Sequence, residues 1–174
     1  KSNVRRVTRC LEQVYYSSMK DIFRSILAIA ICQLAGLIGV VFTASAIPTW
    51  YSTLAKPALN PPNWIFGPVW TMLYSLMGIA AFLVWKKGWE RTDVRKALSV
   101  FGVQLILNSA WSIVFFTLQS PAWALVNIMA MWLAIVWTMI LFSKLSRTAM
   151  WLLVPYILWV SFATYLNYSI LMLN

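Results

Sequence analysis

Apolar positions in this chain run together rather than alternate. No charged residue occurs in residues 25–55, 57–85 or 97–143, or after Arg147. Runs of that length exceed the ~20 helical residues that cross a hydrocarbon layer about 30 Å thick. Strands of a membrane barrel would instead alternate, with turn signals about every ten residues. The pattern predicts an all-α membrane protein, a bundle of five transmembrane helices in one domain over residues 25–174. Breakers and caps set the boundaries. A first span covers 25–47 and stops before Pro48. A second opens on Pro68, whose missing N–H is harmless in a first turn, and runs to 85. A third covers 98–118. Ser120-Pro121 reads as an N-cap followed by a first-turn proline, cuts the uncharged run and opens a fourth span over 122–142. A fifth covers 150–171, where Pro155 leaves the carbonyl of Trp151 without its helical donor and predicts a kink.

Between the first two spans lies a connection of a different kind. Pro48, Pro57, Pro61, Pro62 and Pro68 are five of the seven prolines in the chain, and Trp50, Tyr51, Trp64 and Phe66 are interleaved with them. Proline lowers the entropy lost when a loop orders, whereas a slack linker favours Gly and Ser. The connection therefore reads as a folded lid over a helix mouth.

Charge supports the same picture. Asp, Glu, Lys and Arg make up 10% of the chain, against roughly 25% in ordinary globular domains. The formal charge of +10 comes from basic residues that flank apolar runs, which fits anionic lipid headgroups and membrane topology rather than nucleic acid. Thirteen of the fourteen Lys and Arg fall in the N-terminal flank and in the second and fourth connections; Lys56 is the exception. The positive-inside rule then puts the N-terminus on the cytoplasmic side and the proline-rich loop opposite. A bacterial envelope, a mitochondrial outer membrane and the ER all remain open. Residues 1–24 form a basic extension in which Val4, Val7, Leu11, Val14 and Met19 recur at near-helical spacing. It reads as an interfacial amphipathic helix, a remnant of a targeting sequence or a disordered tail. The missing initiator Met suggests a trimmed chain or a fragment.

Several chemistries are excluded. There is no histidine, so no imidazole base and no His-bound metal or haem. Cys10 and Cys32 form neither a CxxC pair nor a plausible disulfide. The four acids, Glu12, Asp21, Glu90 and Asp93, lie outside the spans, so an intramembrane proton relay has nothing to run on. No metal site and no required cofactor is indicated, and the residues argue for a binder over an enzyme. What remains is aromatic surface. Of eleven tryptophans, Trp50, Trp85, Trp89, Trp123 and Trp151 lie near span ends, as an interfacial belt requires. Trp70, Trp111, Trp132, Trp137 and Trp159 fall within spans, with Asn108 one turn before Trp111 and Asn167 two turns after Trp159. Each alone also fits helix packing, where an Asn bond across the bundle is worth ~0.6 kcal/mol. Together with the lid they point to a flat, largely apolar ligand.

The run Trp50-Tyr51, Lys56-Pro57, Pro61-Pro62, Trp64 and Phe66-Gly-Pro-Val-Trp-Thr-Met-Leu-Tyr74 resembles the translocator protein family, the TspO/MBR group of tryptophan-rich sensory proteins and peripheral-type benzodiazepine receptors. Gln104-Leu-Ile-Leu-Asn-Ser-Ala-Trp-Ser112, Phe115-Phe116, Trp123-Ala-Leu-Val126 and Pro155-Tyr156 through Tyr168 extend the likeness, in order, over residues 26–168. The resemblance implies a homodimeric five-helix bundle whose first loop caps a pocket for porphyrins such as protoporphyrin IX, haem, sterols or benzodiazepine-type ligands. Carried over by motif, Tyr51, Phe66, Val69 and Trp70 would form the lid side; Asn108, Trp111 and Trp123 would line the third and fourth helices; Trp159, Ala163 and Leu166 would line the fifth. Trp70 and Trp159 match residues linked in some bacterial relatives to light-dependent breakdown of porphyrin. The chain departs from the family in Asn127 where many relatives have Asp, in Leu59 where Trp is common, and in lacking the basic residue that completes the animal sterol pattern after Tyr168.

The expectation is thus a membrane receptor or carrier for tetrapyrroles or similar hydrophobic ligands. The alternatives are a light- and oxygen-dependent porphyrin-degrading enzyme and a membrane scaffold without a ligand. Gly102, Ile106 and Ala110 share a face of the third helix that suits a dimer contact, though small residues recur in any bundle.

Overall fold

A computed structural model describes the backbone of residues 2–174 and the side chains of Tyr15 and residues 18–174. The elements are α1 (Ser2–Ala44), α2 (Trp50–Thr53), α3 (Asn63–Trp85), α4 (Thr92–Ser112) continuing into a π-helical segment (Ile113–Thr117), α5 (Pro121–Leu145), α6 (Arg147–Leu152) and α7 (Val154–Leu173). Among the described residues, five stretches are long and apolar enough to cross a membrane: Ser18–Ala44, Asn63–Trp85, Thr92–Thr117, Pro121–Leu145 and Arg147–Leu173. Large apolar side chains such as Val41, Ile106, Val126 and Leu133 stand on the outside of the bundle, where water would penalise them and lipid does not.

The observed boundaries differ from the sequence expectations in ways the backbone explains. α1 does not begin near residue 25; the extension is helical and continuous with the first span. The side chains of Val4, Val7, Leu11 and Val14, and of Cys10, lie outside the described residues, and Met19 is exposed. Pro68 does not open the second span but lies inside α3. Pro62 holds the chain extended (φ −55°, ψ 142°) and releases the helix at Asn63, so Pro68 removes only the donor for the Trp64 carbonyl near the lid end. α4 starts at Thr92, earlier than the apolar run, with Asp93 in its first turn against the positive end of the helix dipole. The fifth span starts at Arg147, where the Ser146 hydroxyl accepts from the Ala149 N–H at 3.3 Å. The expected kink is a break: α6 ends before Leu153, and Pro155 sits in the first turn of α7, where its missing N–H is tolerated. Ser120 precedes α5 as expected and Pro121 opens it, yet the serine hydroxyl makes no capping bond.

The spans close into a ring whose order is not that of the chain. α1 packs against α3 and α4, α4 against α5, α5 against α6 and α7, and α6 and α7 back against α3. At the end carrying the basic connections the ring is filled: Val84, Val94, Ala97, Phe101, Phe142, Ala149 and Leu153 are buried, and Phe101 stacks on Phe142 with centroids 5.8 Å apart. Lys86 pairs with Asp21, and the Arg24 guanidinium lies 5.5 Å from the Trp85 ring centroid, joining α1 to the far end of α3. The opposite end is hollow and covered by residues 45–62.

The α1–α3 contact is a tight seam. A Cβ on Gly78 would lie 2.5 Å from the Ile29 Cα, and one on Gly36 would lie 2.3 Å from Cε2 of Tyr74. The first obstacle is backbone, which no rotamer change relieves. Gly78→Ala is therefore expected to lower the unfolding free energy in detergent by about 1–3 kcal/mol through overpacking. Gly102→Ala, with nothing within 4 Å of the new methyl, should stay within about 0.5 kcal/mol of the parent. Equal losses in the two variants would contradict the seam.

Candidate functional site

The hollow end contains a cavity of about 380 Å³ lined by all five spans and the lid, within the ~300–1,000 Å³ typical of small-molecule sites. No charged side chain lines it. Aromatic rings enter its walls from several sides: Tyr51 from the lid, Phe66, Trp70 and Tyr74 from α3, Trp111, Phe115 and Phe116 from α4 and its π-helical end, and Trp159 from α7.

The spacing of these residues explains why they converge. Phe66, Trp70 and Tyr74 recur every four residues and so share one face of α3. Trp70 stacks on Tyr74 at 5.4 Å between centroids, and Phe66 meets Trp159 edge-on at 5.9 Å. Trp111 stacks on Phe115 at 5.1 Å, and the π-helical turn sets Phe115 and Phe116 side by side at 4.9 Å, both turned toward the lid. Such single π turns recur at functional sites because the wider turn re-aims side chains. Trp50 and Tyr51 dock on this pair, at 5.5 Å from Phe115 and 5.7 Å from Phe116 respectively. Tyr51 donates to the Asn60 Oδ1 at 3.0 Å across the lid. Burial pushes its phenol above the ordinary tyrosine pKa, with the bond to Asn60 acting the other way, so this wall stays neutral. Asn174 fastens the lid from the other side: it accepts from the Ala55 N–H at 3.0 Å, donates to the Ala55 carbonyl at 3.1 Å and also donates to the Ile170 carbonyl at 2.8 Å.

The floor, where Tyr74 and Asn108 line the cavity, is polar but uncharged and is backed by further buried polar groups. Tyr74 donates to Asn108 Oδ1, Asn108 Nδ2 donates to the Tyr156 hydroxyl at 3.1 Å, and that hydroxyl donates to Gln104 Oε1 at 2.8 Å. Gln104, Asn108 and Tyr156 are all buried. A second link runs from the Trp111 indole N–H to Asn167 Oδ1 at 3.0 Å, and from Asn167 Nδ2 to the Pro121 carbonyl at 2.8 Å. The Trp159 indole nitrogen is buried without a partner.

Of the residues singled out from the sequence, Tyr51, Phe66, Trp70, Asn108, Trp111, Trp159, Ala163 and Leu166 all reach the cavity. Val69 does not; it is turned about 100° from Trp70 on the helix and packs against the core. Trp123 does not either. Ala124 and Ile128 take the inward face of α5 and leave Trp123 outside, 70% exposed. The Trp111 indole bonds to Asn167 on α7, across the bundle from Asn108 one turn before it on α4. Sequence reasoning missed the contribution of α1, where Gln33, Gly36, Gly39 and Thr43 line the cavity. A stripe of small and polar positions in an otherwise apolar span was the available signal. Asn127, on α5, has its Oδ1 buried without a partner and is not in the cavity wall.

The floor generates a test. Tyr156→Phe removes the donor to Gln104 and the acceptor for Asn108, while Gln104 Nε2 already lacks a partner. Stability in detergent should fall by about 1–3 kcal/mol, the penalty for stranding buried polar groups. A loss below about 0.3 kcal/mol would show that the chain of bonds does not hold the floor.

Comparison with known proteins follows the same residues. The sequence model of the TspO/MBR family matches residues 28–173. The chain is 46% identical over 155 residues to the tryptophan-rich protein TspO of Chlorobaculum tepidum, covering 89% of this chain and 98% of that protein. It is 41% identical over 125 residues to the tryptophan-rich sensory protein of Cereibacter sphaeroides, with 72% and 77% covered. Against the translocator protein of Homo sapiens it is 40% identical over 122 residues, with 70% and 72% covered.

Proposed function

Because the chain belongs to the TspO/MBR family and is an integral, multi-pass membrane protein, we propose that it is a receptor or carrier for tetrapyrroles such as protoporphyrin IX or haem, or for flat apolar molecules of similar shape such as sterols. The observation that carries this reading is the uncharged, aromatic-walled cavity under a docked lid. Indole and phenol faces on several sides suit a planar ligand by stacking, and Asn108 and Asn167 offer amide groups for orientation. The spans carry no ionisable relay, so the ligand moves by binding and release rather than by ion coupling. In this reading the basic end faces the cytoplasm, the lid faces the other side, and the protein works as a homodimer in lipid.

Titration of the purified protein with protoporphyrin IX in the dark tests it. Saturable quenching of tryptophan fluorescence is expected, and Trp70→Ala combined with Trp159→Ala should weaken affinity by about tenfold or more through lost stacking and burial. Unchanged affinity in the double variant would remove the cavity from consideration.

A second reading is favoured by one observation, that Trp70 and Trp159 line the same cavity with Phe66 against Trp159. Under light and oxygen a bound porphyrin would then be degraded beside oxidisable indoles. Illumination of the saturated complex should give a new absorbing product that the double variant does not form; recovery of intact porphyrin leaves binding alone.

A further inference from the structure

Gln104 and Asn108 stand one turn apart on the same face of α4. Asn108 reaches the cavity, whereas Gln104 lies behind its wall and is only 1% exposed. The bonds that join them all run in one direction. Tyr74 gives its hydroxyl proton to Asn108, Asn108 gives an amide proton to Tyr156, and Tyr156 gives its own to Gln104. Every donor in the chain is thus turned away from the cavity. The run ends on an amide whose Nε2 has no partner among the described residues, a buried donor left unpaired at a cost in free energy.

Each link of this chain can run the other way. A side-chain amide carries a donor and an acceptor of similar size on one planar group, and a phenol hydroxyl both gives and accepts. Turning the two amides over exchanges their oxygen and nitrogen without moving any helix. Gln104 Nε2 then donates to Tyr156, Tyr156 to Asn108 Oδ1, and Asn108 Nδ2 to the Tyr74 oxygen. The same three pairs stay bonded, the stranded Nε2 gains a partner, and the Gln104 oxygen is left over in its place. The Tyr74 proton is released. Tyr74 lines the cavity, so that proton becomes available to whatever occupies it. An acceptor on the ligand adds a fourth bond in the reversed direction alone, and such a differential contact is what shifts a two-state balance.

We propose that Tyr74 is a hydrogen-bond donor to the ligand and that Gln104 is the positioning residue that releases it: an uncharged acceptor, such as a carbonyl, on a flat apolar ligand reverses the chain Tyr74–Asn108–Tyr156–Gln104. This rests on the reading of the cavity as a site for flat apolar ligands and adds a selection among them, for those with an acceptor at the floor. Discrimination is then set by a residue that the ligand never touches.

The experiment compares fluorenone with fluorene on the full chain in non-ionic detergent, by calorimetry, with a protoporphyrin IX titration beside it. The two probes share a flat ring system and differ in one carbonyl. Partitioning into detergent cancels when their affinity ratio is compared between wild type and variants, and the fluorene titration shows that each variant keeps a folded pocket. Wild type should favour the ketone by about threefold or more, and the carbonyl stretch of the bound ketone should fall below its value in detergent alone. Tyr74→Phe should bring the ratio to about one and abolish the shift of the band. Gln104→Leu should act in the opposite sense. It removes the acceptor that holds the chain in the direction seen, leaving Tyr156 only the weak Met131 sulfur at 3.6 Å, and so favours the released Tyr74. The ratio should rise by about twofold or more, since the releasing direction is then no longer the minor one. A purely structural role for Gln104 would lower it or leave it alone, and either result would overturn the proposal. A band shift that survives Tyr74→Phe would overturn it too, and would assign the donor to the unpartnered Trp159 indole. Equal binding of both probes by wild type would overturn it and leave the pocket reading intact. Binding of neither would also overturn it, and the protoporphyrin IX titration would then decide the pocket reading separately.

Discussion

The hydrogen-bonded chain Tyr74–Asn108–Tyr156–Gln104 is the interaction on which the rest of the bundle depends. In a lipid-facing ring the apolar effect does not choose between one inward face and another, because the outside is as apolar as the inside. Buried polar groups do choose, since each must find a partner. These four residues come from α3, α4 and α7, so their mutual satisfaction fixes the rotation of three helices at one level. On one side of that level the ring is packed with Phe101, Phe142 and Leu153; on the other it is open. Tyr74 and Asn108 carry these bonds into the cavity wall, so the site and the register of the helices share them.

The ring order explains why an interior exists at all. α1 lies between α3 and α4, so α3, the second span, does not close directly on the third for most of its length. Gly36 and Gly78 let α1 approach α3 closely on one side, while aromatic side chains of α3, α4 and α7 line the space toward the lid. Close approach at one seam and wide aromatic walls elsewhere leave a space that no single helix pair would make.

Much of this was legible from the residues. The charge-free runs gave five spans because a helix satisfies its own backbone in lipid and the alternation that a barrel needs is missing. The lid was visible in the prolines and aromatics of residues 48–68, since those side chains suit an ordered connection. Boundaries were less legible where a residue's meaning depends on its neighbours: Pro68 looks like a helix start until Pro61 and Pro62 take that role, and the extension before residue 25 carries its helix through charges that an apolar count stops at. Val69 and Trp123, carried over by motif, lie off the cavity wall because a motif does not set helix rotation; Ala124 and Ile128 take the inward face of α5. The bond between Trp111 and Asn167 joins helices that meet only through the ring, so no local spacing announces it.

The clasp made by Asn174 bears on time rather than affinity. Its amide bonds Ala55 at both ends and also the carbonyl one turn back on its own helix. Raising the lid therefore means breaking a paired amide contact that is itself braced by the last turn of α7. Exit of anything held beneath would require this amide pair to open together with the ring contacts of Trp50 and Tyr51, so how long the cavity stays closed is shared between the loop and the last span.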